Sequence, residues 1–511
     1  MAAPQALSRL SAVARALGGT SKDTLLLVLP DLSPVHFIED RNVILVNHLP
    51  VVRLQQSPDQ NFQRLVHTGY AEPPDSVPAY PLITLHSPLN HDDDVDKVEG
   101  TIVTIENFWS SIYALHHIFH AQEVVPVSLA ASIQNRDALV IYALQTGLAT
   151  RPKKNTFVIS DSSSSNLPSN AVDVLLFCRG TFWQGAGTTS YHGRGFLQSQ
   201  ARSHLPPTST TPAAVAVANL GSTNAETQSS SASQLHCGYP PYPPYPYAPG
   251  FTRTPLSITA HPVRPPKPAP GEVIYRRWCR DVGMMLEMQA VDFGQESSTG
   301  SINRGATGEK PAPTPHLLAY NRWHNNPHVA RAWHHEGSVE FHRQYLQRMY
   351  DDDPWLSGGP SSGLGVSSQS REENEKEEAN SGGGTIGLVM CWDGEPMGWT
   401  EVTWLKENHL GSHLPDSSAG PYDRGLHVLV GEKKFGGAAY SRGWLNSVLH
   451  VLFLLDPRTE RVIGEPNKGN QPIMTTSVAA GMHNHGFFDF SYKRSSITFI
   501  PRFRFFQQDL L

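Results

Sequence analysis

The run Asp423-Arg-Gly-Leu-His-Val-Leu-Val-Gly431, continued by Glu432-Lys-Lys-Phe-Gly-Gly-Ala-Ala439, decides how the chain is read. Residues 426–430 are short, almost wholly apolar and end in glycine, the pattern of a buried strand. Gly436 and Gly437, with the small Ala438 and Ala439, make a turn into a helix expected from residue 441. Strand, glycine turn and helix start together form an anion site, because the first helical amides lack intrahelical acceptors and point outward. Lys433 and Lys434 add positive charge beside it. The stretch reads as a pyrophosphate cradle.

Working outward, Trp444, Leu445, Val448, Leu449 and Leu452 recur at helical spacing over 441–455, and Asp456-Pro457 stops that helix. A second buried strand is expected at 461–464, followed by Glu465-Pro-Asn467. Asn470 opens another helix, capped near Gly481. Strand-like runs at 486–492 and 496–505 follow. Upstream, apolar runs at 385–391 and 398–405 flank Trp392-Asp-Gly-Glu395, a strong hairpin signal. Ile274-Tyr275 and residues 284–288 supply further strands. Asn326-Pro327 starts a helix carrying Val329, Ala330 and Trp333 on one face. Ser338 caps another, along which Phe341, Tyr345 and Met349 recur every four residues.

These residues resemble a family. The segment is similar to the acyl-CoA-binding half of the GCN5-related N-acetyltransferases (GNAT), whose pyrophosphate loop is written Gln/Arg-x-x-Gly-x-Gly/Ala. Both Lys433-x-x-Gly436-x-Ala438 and Lys434-x-x-Gly437-x-Ala439 fit, with Lys as the departure. Gly425-Leu-His-Val-Leu-Val-Gly431, Asp456-Pro-Arg458, Glu465-Pro-Asn467 and Asn470 resemble the siderophore branch, and length and amino-terminal extension look most like fungal N5-hydroxyornithine acyltransferases. The resemblance implies an α/β protein. Its carboxy-terminal domain would have the GNAT fold, a mixed and mostly antiparallel sheet flanked by helices, beside an amino-terminal α/β domain.

It also implies the co-substrate, acyl-CoA, with Val428, Val430, Lys433, Lys434, Phe435, Gly436, Gly437, Ala438, Ala439 and Asn470 as binding residues. Relatives carry Trp-x-Asn-Asp-Pro-Arg-Val where this chain has Trp323-His-Asn-Asn-Pro-His-Val329, so Asn326 and His328 depart. Trp323, Asn325, Trp333 and Glu336 are the acceptor-pocket candidates, with core aromatics and helix caps as the competing reading. Acyl transfer to nitrogen needs an aligned amine, a stabilised oxyanion and a route for the nucleophile's proton. A backbone amide between Val428 and Val430 is the expected oxyanion donor. His427 is the expected general base and Glu465 the group that orients it; a structural histidine within the sheet is the alternative. The implied reaction is acylation of N5-hydroxyornithine in hydroxamate siderophore biosynthesis, serving fungal iron homeostasis. Acetyl-CoA is the expected donor. The alternatives are an anhydromevalonyl-CoA transacylase and a non-catalytic scaffold.

Composition bounds the rest. Across 511 residues with net charge -6, nothing argues globally for nucleic acid or membrane. Cys178, Cys237, Cys279 and Cys391 stand far apart, which suits a reducing compartment and neither a disulfide framework nor a cysteine metal site. His116/His120 and His324/His328 are spaced for two ligands on one helix face, but no third ligand is near in sequence, so no metal is expected. Residues 1–20 resemble no secretory signal, and the terminal Asp509-Leu-Leu511 is not a peroxisomal address, so a cytoplasmic protein is expected, with the peroxisome as alternative. Small-molecule substrates are the expected partners, and a homo-oligomer is compatible.

The expected organisation is a flexible 1–20, an α/β domain over 21–195, a Pro/Ser/Thr-rich linker over 196–270, and an acyltransferase domain over 271–511 interrupted at 294–313 and 357–384. In the first domain, strands are expected at 24–29, 43–46, 83–85, 101–105 and 171–178, with a helix over 107–120. Residues 124–127 and 139–142 read as either strand or short helix.

Overall fold

The computed structural model describes residues 23–66, 79–88, 101–152, 156–160, 174–187, 249–253, 258–262, 264, 267–294, 312–351, 384–414, 419–490 and 493–511. The chain divides into two compact units, residues 1–242 with 506–509 and residues 243–505 with 510–511. The Pro/Tyr-rich run near 239–248, most of 196–270, and nearly all of 294–313 and 357–384 lie outside the described residues. Within 196–270, Pro249–Arg253 pairs with Ile258–Pro262.

The first unit is built on a nine-stranded sheet among the described residues. Asp23–Val28, Pro34–Ile38, Val43–Val46, Leu49–Val66 and Ala79–His86 form an antiparallel series. The helix Ile105–Ile118 then crosses over to Val124–Leu129, which pairs parallel to Ala79–His86. One expectation needs correction, and one alternative is decided. Thr101 makes only an isolated bridge to Ile133, and Thr104 caps the helix by accepting from Asn107 N–H (3.2 Å), so 101–105 is a helix entry rather than a strand. Residues 139–142 lie inside the helix Arg136–Gln145.

In the second unit the strands are β1 (Val273–Cys279), β2 (Met284–Ala290), β3 (Ile386–Trp392), β4 (Glu395–Trp404), β5 (Arg424–Val430), β6 (Arg461–Gly464), β7 (His483–Asp489) and β8 (Arg494–Pro501). The helices are α1 (Pro315–His324), α2 (Pro327–Trp333), α3 (Val339–Tyr350), α4 (Ala438–Leu455) and α5 (Gln471–Ala479). The sheet order is β1-β2-β3-β4-β5-β6-β8-β7. Every neighbouring pair is antiparallel except β5–β6. That parallel pair requires a crossover, which α4 supplies. This is the mixed, mostly antiparallel sheet with flanking helices that the resemblance implies.

The β3–β4 hairpin turns on Asp393 (φ 47°) and Gly394 (φ 80°), the two left-handed residues such a turn demands. Behind the sheet, α4 is buried from Gly443 to Leu454. Its polar groups are matched rather than excluded: Ser447 Oγ accepts from Arg277 Nη2 (2.8 Å), and Tyr275 Oη bonds His450 Nδ1 (2.8 Å). On the other face, Leu317, Tyr320, Trp323, Tyr345, Leu346 and Met349 from α1 and α3 pack on Val389, Trp399 and Leu429.

Two boundaries differ from expectation here. Helix α4 begins at Ala438, three residues before the expected Ser441, because Gly437 is its N-cap and Ala438-Ala439 are strong helix formers. The run 496–505 leaves the sheet at Pro501 and continues as a helix, Arg502–Gln507. Phe503 is 68% exposed while Phe505 is 1% exposed, so the alternation of a strand does not hold there.

Candidate active site

The site is built where β5 and β6 part. Antiparallel pairing with β4 runs the full length of β5, from Arg424 opposite Trp404 to Val430 opposite Gly398. Parallel pairing with β6 covers only Arg424–Val462, Gly425–Ile463 and Leu426–Gly464. Beyond Leu426, one edge of β5 therefore faces no partner strand. The gap belongs to a cavity of about 770 Å³, walled by His427 and Val428 on β5, Glu465 after β6, Asn470 and Ile473 of α5, and Trp333 and Arg331 of α2.

His427 and Glu465 are the residues just past the last parallel pair, so the splay sets them side by side. His427 Nε2–H donates to Glu465 Oε1 (2.8 Å). On the ring's other side, Nδ1–H donates to Glu401 Oε2 (3.2 Å). Glu401 reaches it because the β4–β5 register sets the two residues directly opposite. Burial disfavours the imidazolium, but the hydrogen bonds and charges of Glu401 and Glu465 outweigh it and raise the His427 pKa to about 9. Burial likewise pushes Glu465 up, and His427 with Lys493 reverses this, holding it at about 2. Glu401 is lowered too, its burial overcome first by His427 and then by Trp399. Lys493 Nζ and Ser495 Oγ (3.4 Å) complete the shell of Glu465. The ring of Trp333 stands edge-on to His427 at 6.4 Å.

At the far end of β5 comes the anion cradle. Gly437 has φ 110°, a conformation that favours glycine. The first helical bond of α4 runs from Ser441 N–H to Gly437 O (2.9 Å), leaving the amides of Ala438, Ala439 and Tyr440 without intrahelical acceptors. Lys433 and Lys434 precede it in a 3₁₀ turn with Phe435, whose ring is buried against Tyr440 (5.6 Å). Lys434 is ion-paired to Glu395, whereas Lys433 is exposed and has no ion-pair partner among the described residues. Asn470 caps α5 by accepting from Ile473 N–H (3.4 Å) on the cavity wall.

Of the acceptor-pocket candidates, Trp333 lines the cavity and Trp323, Asn325 and Glu336 do not. Trp323 is 2% exposed in the core, where it covers Gly431 and donates to Glu432 Oε1 (2.8 Å). Asn325 ties α1 to the segment before α3 through Gly337 O (2.8 Å) and Gly337 N–H (3.1 Å). Glu336 is exposed. Sequence reading missed Glu401, Lys493 and Arg331. Glu401 did leave a signal, being the lone acid in the apolar run Trp399-Thr-Glu-Val-Thr-Trp404, where a buried charge requires partners. Among the described residues no group of three or more His, Cys, Asp or Glu is arranged to hold a metal ion, and no helix is long and apolar enough to cross a membrane.

Comparison with known proteins agrees with this geometry. Residues 363–490 match the model of an acetyltransferase (GNAT) domain. An acyltransferase of Omphalotus olearius is 29% identical over 410 residues, covering 80% of this chain and 78% of that protein. A hydroxyornithine transacylase of Ajellomyces capsulatus is 28% identical over 405 residues, covering 79% and 72%. An N(5)-hydroxyornithine:cis-anhydromevalonyl coenzyme A-N(5)-transacylase of Beauveria bassiana is 32% identical over 247 residues, covering 48% and 43%. The carboxy-terminal unit carries a GNAT domain, and the chain is an acyltransferase similar to fungal hydroxyornithine transacylases.

Proposed function

We propose that the enzyme transfers an acyl group from acyl-CoA to the side-chain nitrogen of N5-hydroxyornithine, forming a hydroxamate. The observation that carries this is His427, held between two carboxylates on the wall of a cavity that opens at the splayed end of β5. The pyrophosphate of the donor is held by the amides that open α4, with Lys433 beside them, and Asn470 lies along the donor's path. The thioester reaches back along the free edge of β5, where a backbone amide between Val428 and Val430 stabilises the oxyanion.

The hydroxylamine nitrogen, neutral at pH 7, attacks the thioester carbon, and its proton passes to His427 Nε2. Collapse of the tetrahedral adduct breaks the carbon–sulfur bond, and the thiolate leaves to be protonated as free CoA. Nε2 is the arm on the cavity side, since Glu465 lines the cavity and Glu401 does not. An entering N–H takes the place of Glu465 as its partner. With a pKa of about 9, the base is unprotonated in roughly one molecule in a hundred at pH 7, but it is correspondingly strong.

Acetyl is the acyl group we favour, together with a cytoplasmic location. The name of the Beauveria bassiana relative supports anhydromevalonyl as the second reading. Purified protein incubated with N5-hydroxyornithine and either acetyl-CoA or anhydromevalonyl-CoA, followed by free thiol release, separates them. We expect turnover with acetyl-CoA, lost by about 10²- to 10⁴-fold in His427→Ala. Turnover with the larger thioester alone would replace the acyl choice and keep the mechanism. Silence from both, with folded protein, would leave the scaffold reading.

A further inference from the structure

Glu401 is 1% exposed in the middle of β4 and is not among the residues that line the cavity. Its carboxylate is nonetheless fully engaged. Tyr345 Oη (3.2 Å) and Trp399 Nε1 (3.3 Å) both donate to Oε1, which leaves Oε2 to receive His427 Nδ1–H at 3.2 Å. Rotating the carboxylate away would strand buried donors on two side chains, so the acceptor presented to Nδ1 is fixed.

We propose that Glu401 is a positioning residue for acyl transfer: it keeps the hydrogen on Nδ1 of His427, so that the neutral ring offers its Nε2 lone pair to the cavity. This rests on His427 being the proton acceptor. A neutral imidazole has one N–H and one lone pair, and each ring nitrogen here faces a carboxylate. Glu465, on the cavity wall, gives way to an entering N–H, whereas Glu401 is pinned by Tyr345 and Trp399, so once the acceptor enters the nitrogen facing Glu401 is the one that retains its hydrogen. The other charged and titratable groups around the ring lie elsewhere. Glu465 meets Nε2 with Lys493 behind it, Tyr345 and His324 sit behind Glu401, and Arg331 is on the cavity wall. Glu401 alone of these bonds Nδ1.

Glu401→Gln isolates the role. Its amide oxygen still accepts from Tyr345 and Trp399, but its NH2 now donates to Nδ1. The neutral ring is thereby driven to carry its hydrogen on Nε2, with the lone pair turned to the wall. We expect kcat to fall by at least about tenfold. The pH at which activity levels off should move down by about one unit or more, since a negative neighbour is gone. KM for the acyl donor stays unchanged, and Glu401→Asp recovers part of the loss.

The direct readout is imidazole nitrogen NMR on histidine-labelled full-length protein, with the His427 signals assigned by difference from His427→Gln. The neutral ring should be protonated at Nδ1 in the native enzyme and at Nε2 in E401Q. A folded E401Q that keeps the native tautomer and activity profile overturns the proposal. Should E401Q fail to fold, the native spectrum decides, because a neutral His427 carrying its hydrogen on Nε2 overturns it equally. Tautomers as expected, with full turnover in His427→Gln, would instead sink the reading of His427 as base.

Discussion

Lys433 and Lys434 are neighbours in sequence and unlike in circumstance. Both are exposed, but Lys434 is ion-paired to Glu395 and lies 5.0 Å from the Phe435 ring, whereas Lys433 has no ion-pair partner among the described residues and stands one residue nearer the end of β5. In sequence, two registers of the loop fit equally; the ion pair of Lys434 favours Lys433-x-x-Gly436-x-Ala438 as the donor-binding one. Lys433→Ala should raise KM for acyl-CoA by about three- to tenfold, in line with one partly screened charge contact to phosphate, and Lys434→Ala should change it by less than about twofold. Initial rates against acyl-CoA at fixed acceptor check this. Equal effects of the two substitutions would contradict the assignment. The same distinction explains what the sequence hid at this scale. His427 and Glu465 are legible as chemistry because they flank a recognisable strand end. Glu401 gains its meaning only from the β4–β5 register, which no local pattern states.

The strand–turn–helix unit was readable at the scale of elements because its signals are covalently local. Apolar residues run to Gly431, glycines follow, and a helical period takes over. What local reading misplaced was the helix start, expected near residue 441 after the small residues of the turn, whereas the backbone turns at Gly437 with φ 110° and the helix begins at Ala438. That value makes Gly437→Ala a test of the element. The side chain meets nothing within 4 Å, so the cost is conformational alone, about 1 kcal/mol or more. Denaturant midpoints should register that loss, and KM for acyl-CoA should rise as the first amides of α4 turn away from the donor. Unchanged KM would place the pyrophosphate elsewhere. Helix α1 was less legible. Its buried Trp323 and its exposed C-cap Asn325 read as pocket residues, yet their partners, Glu432 and Gly337, are fixed by tertiary packing.

Across the whole molecule, buried neutral histidines set an acid limit. Burial lowers His116 to about 3 in the first unit, and His324 to about 4 and His335 to about 3 in the second, with His342 also lowered. A histidine depressed in the fold contributes its full stability above its unfolded value near 6.5 and loses it as pH falls toward the folded value. Between pH 6.5 and 5 His116, His324 and His335 should therefore each cost up to about 1.5 kcal/mol. Urea midpoints should fall steeply over that range, and His335→Leu should flatten the fall in the second unit. An unchanged slope would show that these rings are protonated in the fold. The sheet order of both units had to come from pairing between distant strands, which composition and periodicity cannot order.

Because His427 and the amides of Ala438 and Ala439 belong to one uninterrupted strand, turn and helix, the span between the reacting atom and the charge-binding end is fixed by the backbone itself. The unit works as a caliper. On the proposed mode of donor binding it gauges the arm that carries the acyl group, and a thioester on a shortened arm would arrive with its carbonyl out of reach or its anchor unheld.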